Sequence, residues 1–325
     1  MRVLSGMRPT GRLHLGHLAG VLSQWRQIQD KYECLFMSAD LHALLSEYKD
    51  PSQIKDYSLD NIADWLSWGI SPEKSIIFIQ SQVKEHLELF FIFSSFTPLG
   101  WLTRCPTFKD QVKQLKEKDV NNLGFLGYPV LQAADILIYR ADYVPVGEDQ
   151  LPHLELTREI ARRFNFLYKK EFFPYPQPLL SPMPKLLGTD GRKMSKSYGN
   201  CIYLSDSTNE VKAKVKNMFT DPQRIKKSQP GRPEVCNVYS YYELFSPENK
   251  EAVAKECQSA AIGCTDCKKR LAEILEQLIA PAREKRQQLL LKKDFLLDIV
   301  SQGSKKAKAI AENTLSQVKN IMPFC

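Results

Sequence analysis

The feature that most constrains this chain is a series of short apolar segments separated by amphipathic stretches throughout its first half. The apolar segments at residues 3–4, 34–38, 75–80 and 143–146 have the length and composition of strands. The stretches between them, such as residues 14–30 and 52–68, predict helices. Strands that alternate with helices are typical of a parallel sheet, whose buried strands form unbroken apolar runs such as SIIFIQ. The first half therefore predicts an α/β fold with a doubly wound parallel sheet.

The second half differs in both pattern and charge. From residue 206 one helical pattern follows another, for example at 271–291 and 305–321. Residues 206–325 hold 21 basic and 15 acidic residues, so this segment carries six of the eight net positive charges. A basic helical domain suits a polyanionic partner, although a solvated helix face rich in lysine would look the same. The pattern is also helical near 98–141, which predicts an insertion, and the proline-rich residues 172–192 predict a loop-rich connection.

The sequence favours a cytoplasmic protein that has no contact with membranes. No stretch approaches the ~20 apolar residues of a membrane-spanning helix. The first residues also lack the apolar region of a signal peptide. In the cytoplasm the eight cysteines of the chain should be reduced thiols or metal ligands rather than disulfides.

A histidine motif begins soon after the first apolar segment. PTGRLHLGHLAG, residues 9–20, places His14 and His17 three residues apart among glycines. A strand that turns into a helix presents free backbone N–H groups and the positive end of the helix dipole, which bind phosphate. The two histidines would share a helix face, and Gly16 would let a flat ring or a ribose approach the backbone. The motif predicts a nucleotide site; two exposed histidines on an ordinary helix are the simpler alternative.

A lysine-rich motif closes the proline-rich stretch. Residues 193–197 read KMSKS and are called the KMSKS loop below. Two lysines and two serines on a loop form a clamp for pyrophosphate, whose negative charge grows as it leaves. A chance basic loop could contain the same residues. The presence of both motifs in one α/β chain favours the phosphate interpretation.

Together the two motifs resemble the signatures of class I aminoacyl-tRNA synthetases. Three further segments are similar to tryptophanyl-tRNA synthetases: YPVLQAADIL at 128–137, VPVGEDQ at 144–150 and HLELTREIARRFN at 153–165. The resemblance covers nearly the whole chain. It implies a Rossmann-type catalytic domain over residues 1–200, which contains the 98–141 insertion and the KMSKS loop. It also implies a C-terminal α-helical domain over residues 201–325 that binds the tRNA anticodon.

The resemblance also implies which residues form the site. The catalytic residues would be His14, His17, Lys193 and Lys196. The ATP-binding residues would be Arg8, Pro9, Thr10, Gly16, His17, Gly147, Glu148, Asp149, Lys193, Met194, Ser195, Lys196 and Ser197. The tryptophan pocket would comprise Gly6, His42, Gln132, Asp135, Val144, Val146 and Gln150. Asp135 would accept the indole N–H, because a buried carboxylate needs a donor.

The implied activity is the joining of L-tryptophan to tRNA(Trp). The tryptophan carboxylate attacks the α-phosphate of Mg²⁺–ATP, pyrophosphate leaves, and tryptophan is transferred to the 3′ end of the tRNA. The family also implies a homodimer, with the 98–141 region as a contact. Gln132 beside Asp135 resembles the pocket of tyrosyl-tRNA synthetases, which is one alternative. A small-molecule nucleotidyltransferase is another, although it needs neither the KMSKS loop nor a basic helical domain.

Four of the cysteines are clustered in the basic half. Cys236, Cys257, Cys264 and Cys267 have the spacing C-x20-C-x6-C-x2-C. Zinc sites usually pair two short cysteine knuckles, whereas this spacing contains one and suits an iron–sulfur cluster equally well or better. Four buried reduced thiols are the simplest alternative. The sequence resembles a branch of tryptophanyl-tRNA synthetases that carries a [4Fe–4S] cluster, so we predict that cluster, with Zn²⁺ as the alternative. The other cysteines, Cys34, Cys105, Cys201 and Cys325, show no such pattern and are interpreted as structural or incidental.

Overall fold

Five strands form one parallel sheet in the computed structural model, which describes residues 1–104, 122–180 and 186–322. They are β1 (Arg2–Met7), β2 (Glu33–Ser38), β3 (Ser75–Ile79), β4 (Tyr143–Val146) and β5 (Gln177–Leu180). Their order in the sheet is β3-β2-β1-β4-β5, so the direction of winding reverses between β1 and β4. This is the strand order of a doubly wound sheet. The predicted α/β fold is confirmed.

Helices flank the sheet and make up most of the second half. In chain order they are α1 (Leu15–His17), α2 (Ser23–Ile28), α3 (Asp40–Glu47), α4 (Ile54–Ser67), α5 (Glu85–Phe96), α6 (Leu99–Arg104), α7 (Leu123–Ile138), α8 (Leu151–Leu167), α9 (Thr208–Lys216), α10 (Asn237–Phe245), α11 (Lys250–Gln258), α12 (Cys264–Leu291) and α13 (Lys293–Ile321). The helix predicted over 14–30 consists of α1, a π-helical turn at Leu18–Leu22, and α2. None of the helices in these described ranges is long and apolar enough to span a membrane.

The proline-rich residues 172–192 are not entirely a loop. They contain β5, which pairs with β4 and brings Pro178 opposite Val144. A proline lacks the N–H that a ladder needs, but an edge strand bonds on one side only and tolerates it. The sequence analysis predicted a loop-rich connection here and did not identify this short strand. The predicted insertion is helical in α6 and α7, while residues 105–121, with Cys105, and the terminal Cys325 lie outside the described residues.

One compact unit comprises Met1–Gly11, Gln24–Pro182 and Leu289–Cys325, and it contains the whole sheet. Large buried side chains fill it; for example, the Trp25 ring stacks on Phe36 with centroids 4.2 Å apart. The final helix α13 packs directly on β3. At their closest approach a Cβ on Gly303 would lie 1.8 Å from the Ile77 carbonyl oxygen. Only glycine permits this contact between helix and strand backbones.

A second compact unit comprises Arg12–Ser23 and Met183–Gln288. It contains α1, the KMSKS loop, α9 to α11, most of α12 and all four clustered cysteines. Its parts are joined by backbone pairing, since His14 forms an antiparallel bridge with Tyr203 and the Leu15 N–H donates to Ile202 O at 3.0 Å. The catalytic and tRNA-binding roles assigned to residues 1–200 and 201–325 stay predictions.

Candidate active site

Two groups of predicted ATP-binding residues lie at the edge of the sheet where its strands end. Residues 8–10 directly follow β1, and residues 147–149 directly follow β4, the neighbouring strand. Open α/β sheets bind ligands outside the carboxyl ends of the strands, at the point where the winding reverses. A Cβ on Gly147 would lie 2.9 Å from Asp149 Oδ1. Because Gly147 has no side chain, the Asp149 carboxylate can lie against the backbone of this exposed turn.

A buried carboxylate lies at the centre of the predicted tryptophan pocket. Asp135 on α7 is 2% exposed, and every donor that surrounds it comes from another element. His42 Nε2 is 2.8 Å from Oδ2, His86 Nδ1 is 2.6 Å from Oδ1, and Gln80 Nε2 lies within 2.9 Å of both oxygens. These hydrogen bonds compensate the cost of removing a charge from water. The Asp135 carboxylate is therefore held in one orientation.

The same contacts determine the protonation state of the pocket. Burial alone would raise the pKa of Asp135, but hydrogen bonds from His42 and His86 and their charges outweigh it and lower that pKa to about 2. His86 Nε2 in turn lies 2.7 Å from the Tyr139 hydroxyl. With Nδ1–H donating to the carboxylate, Nε2 accepts from the Tyr139 O–H. Asp135 is consequently an acceptor only.

Of the predicted pocket residues, His42 contacts Asp135 directly. Gln132 lies one helical turn before it on the half-buried side of α7, and no hydrogen bond joins the two in the described part of the chain. Val144 and Val146 are buried on β4, whereas Gly6 is exposed on β1 and Gln150 is half-buried in the turn after β4. The sequence analysis missed three residues of this group: Gln80, His86 and Tyr139. A signal existed for Gln80 alone, since it is the polar residue that ends the apolar run SIIFIQ.

His14 and His17 lie side by side in the second unit, with ring centroids 3.9 Å apart. His14 Nδ1 accepts the Gly16 N–H at 3.1 Å, and His17 Nδ1 accepts the His14 N–H at 3.2 Å. The two imidazoles thus form a capping box for α1. Burial, assisted by the charge of Lys196, lowers the pKa of His14 to about 4, and burial also lowers that of His17. Both rings are neutral near pH 7, with Nε2–H left as a donor.

The backbone N–H groups at this helix start, which were predicted to be free, are paired inside the chain. The Leu15 N–H donates to Ile202 O at 3.0 Å, the Gly16 N–H to His14 Nδ1, and the His17 N–H to His14 O at 2.8 Å. With these donors already paired inside the chain, the groups offered to an anion are side chains. Gly16 also has an internal explanation, because a Cβ there would lie 3.0 Å from the His14 ring.

Asn200, which follows the KMSKS loop, organises that loop. Its Oδ1 accepts the Ser195 N–H at 2.8 Å, and its Nδ2 donates to Lys193 O at 3.1 Å. Met194 is buried, while Lys193 is exposed and Lys196 is half-buried. Lys196 is near enough to both motif histidines for its charge to lower their pKa values. The second unit therefore brings the two sequence motifs together, with Ser195 Oγ and Ser197 Oγ 2.9 Å apart on the same loop.

The four clustered cysteines approach one another in the second unit. Cys236 directly precedes α10, Cys257 is on α11, and Cys264 and Cys267 occupy the first turn of α12. Burial raises the pKa of the Cys267 thiol to about 12, and the other three thiols act in the same direction. Within the described ranges, no three His, Cys, Asp or Glu side chains meet the geometry of a metal site. The metal-ligand role therefore stays a prediction. Outside this cluster, Cys34 and Cys201 are buried.

Comparison with known proteins gives concordant matches. The profile of the family "tRNA synthetases class I (W and Y)" matches residues 1–280. The chain is 50% identical over 325 residues to the tryptophan–tRNA ligase of Thermotoga maritima, covering 99% of both chains. It is 42% identical to the tryptophan–tRNA ligase of Aquifex aeolicus, with 99% of each covered. The crystal structure of tryptophanyl-tRNA synthetase from Campylobacter jejuni, complexed with ADP and tryptophan, matches with a TM-score of 0.91 at 35% identity over 100% of both chains.

The neutral His14 ring predicts a dependence of stability on pH. Its pKa is about 4 when folded and about 6.5 when unfolded. The unfolded chain therefore binds the proton first, and stability should fall as the pH drops from about 6.5 to about 4 and be level above 7. We expect His14→Asn, which keeps an acceptor for the Gly16 N–H, to flatten this profile. The loss of unfolding free energy between pH 6.5 and 4 should become smaller by up to about 3 kcal/mol. Thermal unfolding from pH 4 to 7.5 measures it; parallel profiles would contradict the assignment.

Proposed function

The chain belongs to the class I tRNA synthetases for tryptophan and tyrosine, and on that basis we infer its activity: it is a tryptophan–tRNA ligase. It activates L-tryptophan with ATP to tryptophanyl-adenylate and pyrophosphate, then transfers tryptophan to the 3′ end of tRNA(Trp). Mg²⁺ enters with ATP as part of the substrate. The observation that carries this conclusion is 50% identity along the whole chain to a ligase of that specificity. It favours tryptophan over the tyrosine and nucleotidyltransferase alternatives. Because tRNA is the substrate, we propose a cytoplasmic location.

We propose that Asp135 selects tryptophan by accepting the indole N–H. Its carboxylate is ionised and oriented, and a carboxylate has room for about four hydrogen bonds. His86 is fully buried, whereas the His42 side chain is 11% exposed. His42 is therefore the donor whose position on Oδ2 an indole N–H would share or replace. Val144, Val146, Gly6, Gln132 and Gln150 would line the remainder of the pocket.

We propose that residues 8–10 and 147–149 bind the adenosine part of ATP. They lie at the reversal point of the sheet, and the exposed carboxylates of Glu148 and Asp149 are suited to ribose hydroxyl groups. Nothing in this assignment requires a protein nucleophile. The tryptophan carboxylate attacks the α-phosphorus directly, so the protein contributes positioning and charge.

The leaving pyrophosphate would be stabilised by the second unit. Lys193 and Lys196 supply positive charge, and the neutral His14 and His17 rings supply Nε2–H donors without adding charge of their own. Because Lys196 already lowers both histidine pKa values, a charged imidazole beside it would be unfavourable. The proposed division is therefore that lysines carry the charge and histidines donate neutral hydrogen bonds as negative charge develops.

The role of the lysines is tested with Lys196→Ala. We expect the rate of tryptophan activation to fall roughly 100-fold, because the lost charge acts on the developing pyrophosphate. The KM for tryptophan should change little. Tryptophan-dependent ATP–pyrophosphate exchange measures both quantities without tRNA, and the same assay with tyrosine checks specificity. Lys226→Ala, which removes the same charge outside the loop, is the control; if both variants behave like the parent, Lys196 has no role in activation.

The role of Asp135 is tested with Asp135→Asn and a substrate analogue. The variant keeps the shape of the side chain but weakens the charged acceptor for the indole N–H. We expect kcat/KM for tryptophan to fall roughly 10- to 100-fold, the effect of a hydrogen bond to a charged group. The benzothiophene analogue of tryptophan lacks that N–H and should lose much less. An equal loss on both substrates would assign Asp135 a structural role only.

We propose that Cys236, Cys257, Cys264 and Cys267 hold a [4Fe–4S] cluster, with Zn²⁺ as the alternative occupant. The donor set fits, because four thiols from three elements lie within electrostatic reach of one another. Arg224 Nη1 is 3.5 Å from Cys257 Sγ and is suited to balance the negative charge of a thiolate-ligated cluster. A Cβ on Gly231 would lie 2.5 Å from the same sulfur. When bound, the group would cross-link the start of α10 to α11 and α12, within the basic helical domain proposed to bind the anticodon.

Metal content decides this proposal. Protein purified without oxygen should be brown and contain about four iron and four sulfide per chain. Cys264→Ser should lose most of the iron. Cys34→Ser, which changes a buried cysteine outside the cluster, should keep it. Elemental analysis and the visible spectrum provide the measurement. Stoichiometric zinc without iron would assign the alternative, and neither metal in anaerobic protein would refute the site.

We propose that the chain forms a homodimer through α5, α6 and the start of α7. Four large apolar side chains are exposed on these neighbouring helices: Leu87, Phe91, Leu99 and Leu123. Leu123 is 82% exposed and Phe91 is 74% exposed. Exposed apolar side chains on neighbouring helices are typical of protein–protein contacts. Leu99 and Leu123 belong to the 98–141 region that the sequence predicted as a contact.

A single charge tests this interface. Phe91→Asp should convert the dimer to a monomer, because an aspartate buried at the contact would lose its hydration without a partner. Sedimentation velocity measures the change. Phe166→Asp is the matched control, since Phe166 is 81% exposed on α8, outside the proposed contact. A monomeric parent, or a Phe91→Asp dimer as stable as the parent, would refute this contact.

A further inference from the structure

Helix α10 is hydrogen-bonded to two parts of the second unit that carry different chemistry. One part is the hairpin of residues 187–193, which leads into the KMSKS loop. Asn237 Nδ2 donates to Gly188 O at 2.7 Å, and the Tyr241 hydroxyl donates to Leu187 O at 2.6 Å. Toward the cysteines, the Tyr242 hydroxyl donates to Cys267 O at 2.8 Å. All three side chains are buried, with exposures of 4% or less. Tyr241 and Tyr242, which are consecutive, thus connect α10 to the hairpin and to the cysteine region by hydrogen bonds.

The hairpin leads directly into the lysines. Leu187 pairs with Lys193 in an antiparallel bridge, and the Gly188 N–H donates to Arg192 O at 2.7 Å. Gly188 also packs against the residue that organises the loop, because a Cβ there would lie 2.2 Å from Asn200. The two carbonyl groups that α10 holds thus belong to Leu187, which pairs directly with Lys193, and to Gly188, which packs against Asn200.

The start of α10 adds a second connection to the cysteines. Cys236 is the residue immediately before Asn237 and forms the N-cap of the helix. Movement of Cys236 would therefore displace the side chain that holds Gly188. Movement of Cys267 would act on the same helix through Tyr242. Both routes end at backbone atoms of the hairpin, so a single rigid helix of nine residues connects them.

We propose that Asn237 and Tyr241 are positioning residues for the KMSKS loop, and that Tyr242 makes the loop position depend on order in the four-cysteine region. This inference rests on the proposed role of Lys193 and Lys196 at the pyrophosphate. Neither Asn237 nor Tyr241 touches substrate in it. They act by fixing the backbone from which Lys193 projects, which matters because small displacements of a charged group sharply reduce its effect on a transition state.

Three tyrosine-to-phenylalanine variants on α10 provide the test. Tyr241→Phe removes the bond to the hairpin, and Tyr242→Phe removes the bond to Cys267. Tyr239→Phe is the matched control, since no hydrogen bond of its hydroxyl occurs in the described part of the chain. The readouts are the KM for ATP and the KM for tryptophan in ATP–pyrophosphate exchange. Independently of activity, the rate of tryptic cleavage after Lys193, identified by mass spectrometry, reports order in the loop.

We expect Tyr241→Phe to raise the KM for ATP and the cleavage rate about fivefold, the effect of one neutral hydrogen bond, with the KM for tryptophan unchanged. Tyr242→Phe should act in the same direction and more weakly, and Tyr239→Phe should match the parent. Cys264→Ser, which disturbs the cysteine region, should also accelerate cleavage after Lys193. Its effect should be much smaller in a chain that already carries Tyr241→Phe than in the parent. If Cys264→Ser does not fold, the Tyr241→Phe/Tyr242→Phe double variant tests the same lack of additivity.

Parent-like cleavage and ATP kinetics in Tyr241→Phe would refute the positioning role. Fully additive effects of Tyr241→Phe with Cys264→Ser or Tyr242→Phe would refute the dependence on the cysteine region. The proposed function fails separately: if Lys196→Ala activates tryptophan like the parent, the lysines have no role. If Lys196→Ala is slow while Tyr241→Phe is normal, only the inference about α10 is refuted.

Discussion

The removal of the Asp135 carboxylate from water is the constraint on which the first unit depends. A buried, unpaired carboxylate would cost far more than the few kcal/mol by which a protein is stable. His42, Gln80 and His86 compensate this cost from three different elements. Those elements must therefore converge on α7, at the edge where the strands end. The interaction that stabilises the charge also leaves it oriented as an acceptor, which is the property that the proposed selection of tryptophan uses.

The second unit solves the opposite electrostatic problem. In the proposed function its lysines carry the charge that stabilises pyrophosphate, yet Lys196 lies near two histidines that would repel it if protonated. Burial and the use of both Nδ1 atoms as acceptors keep the imidazoles neutral. Backbone geometry is then held by neutral contacts, chiefly those of Asn200 to Ser195 and Lys193. In this proposal the lysines carry the charge that acts on the leaving group, while uncharged hydrogen bonds determine their position.

Each unit therefore keeps structural and chemical roles on different atoms of the same residues. His14 caps α1 with Nδ1 and leaves Nε2–H as a donor. His86 holds Asp135 with one nitrogen and contacts Tyr139 with the other. In each ring the partner of Nδ1 determines whether that nitrogen donates or accepts a hydrogen bond. The proposed activity follows from such fixed donors and acceptors rather than from a reactive nucleophile.

The amino-acid sequence predicted four of the five strands, the helical second half and the residues of both motifs, because apolar runs and motif spacing are local properties. It missed β5, since prolines obscure an edge strand in a local pattern, and it wrongly predicted free N–H groups at α1. It also missed Gln80, His86 and Tyr139. Gln80 and His86 are 55 and 49 positions from Asp135, and no local pattern encodes such pairings. These contacts, and those of α10, depend on the folded chain, because a buried polar group finds its partner from whichever element the fold brings beside it.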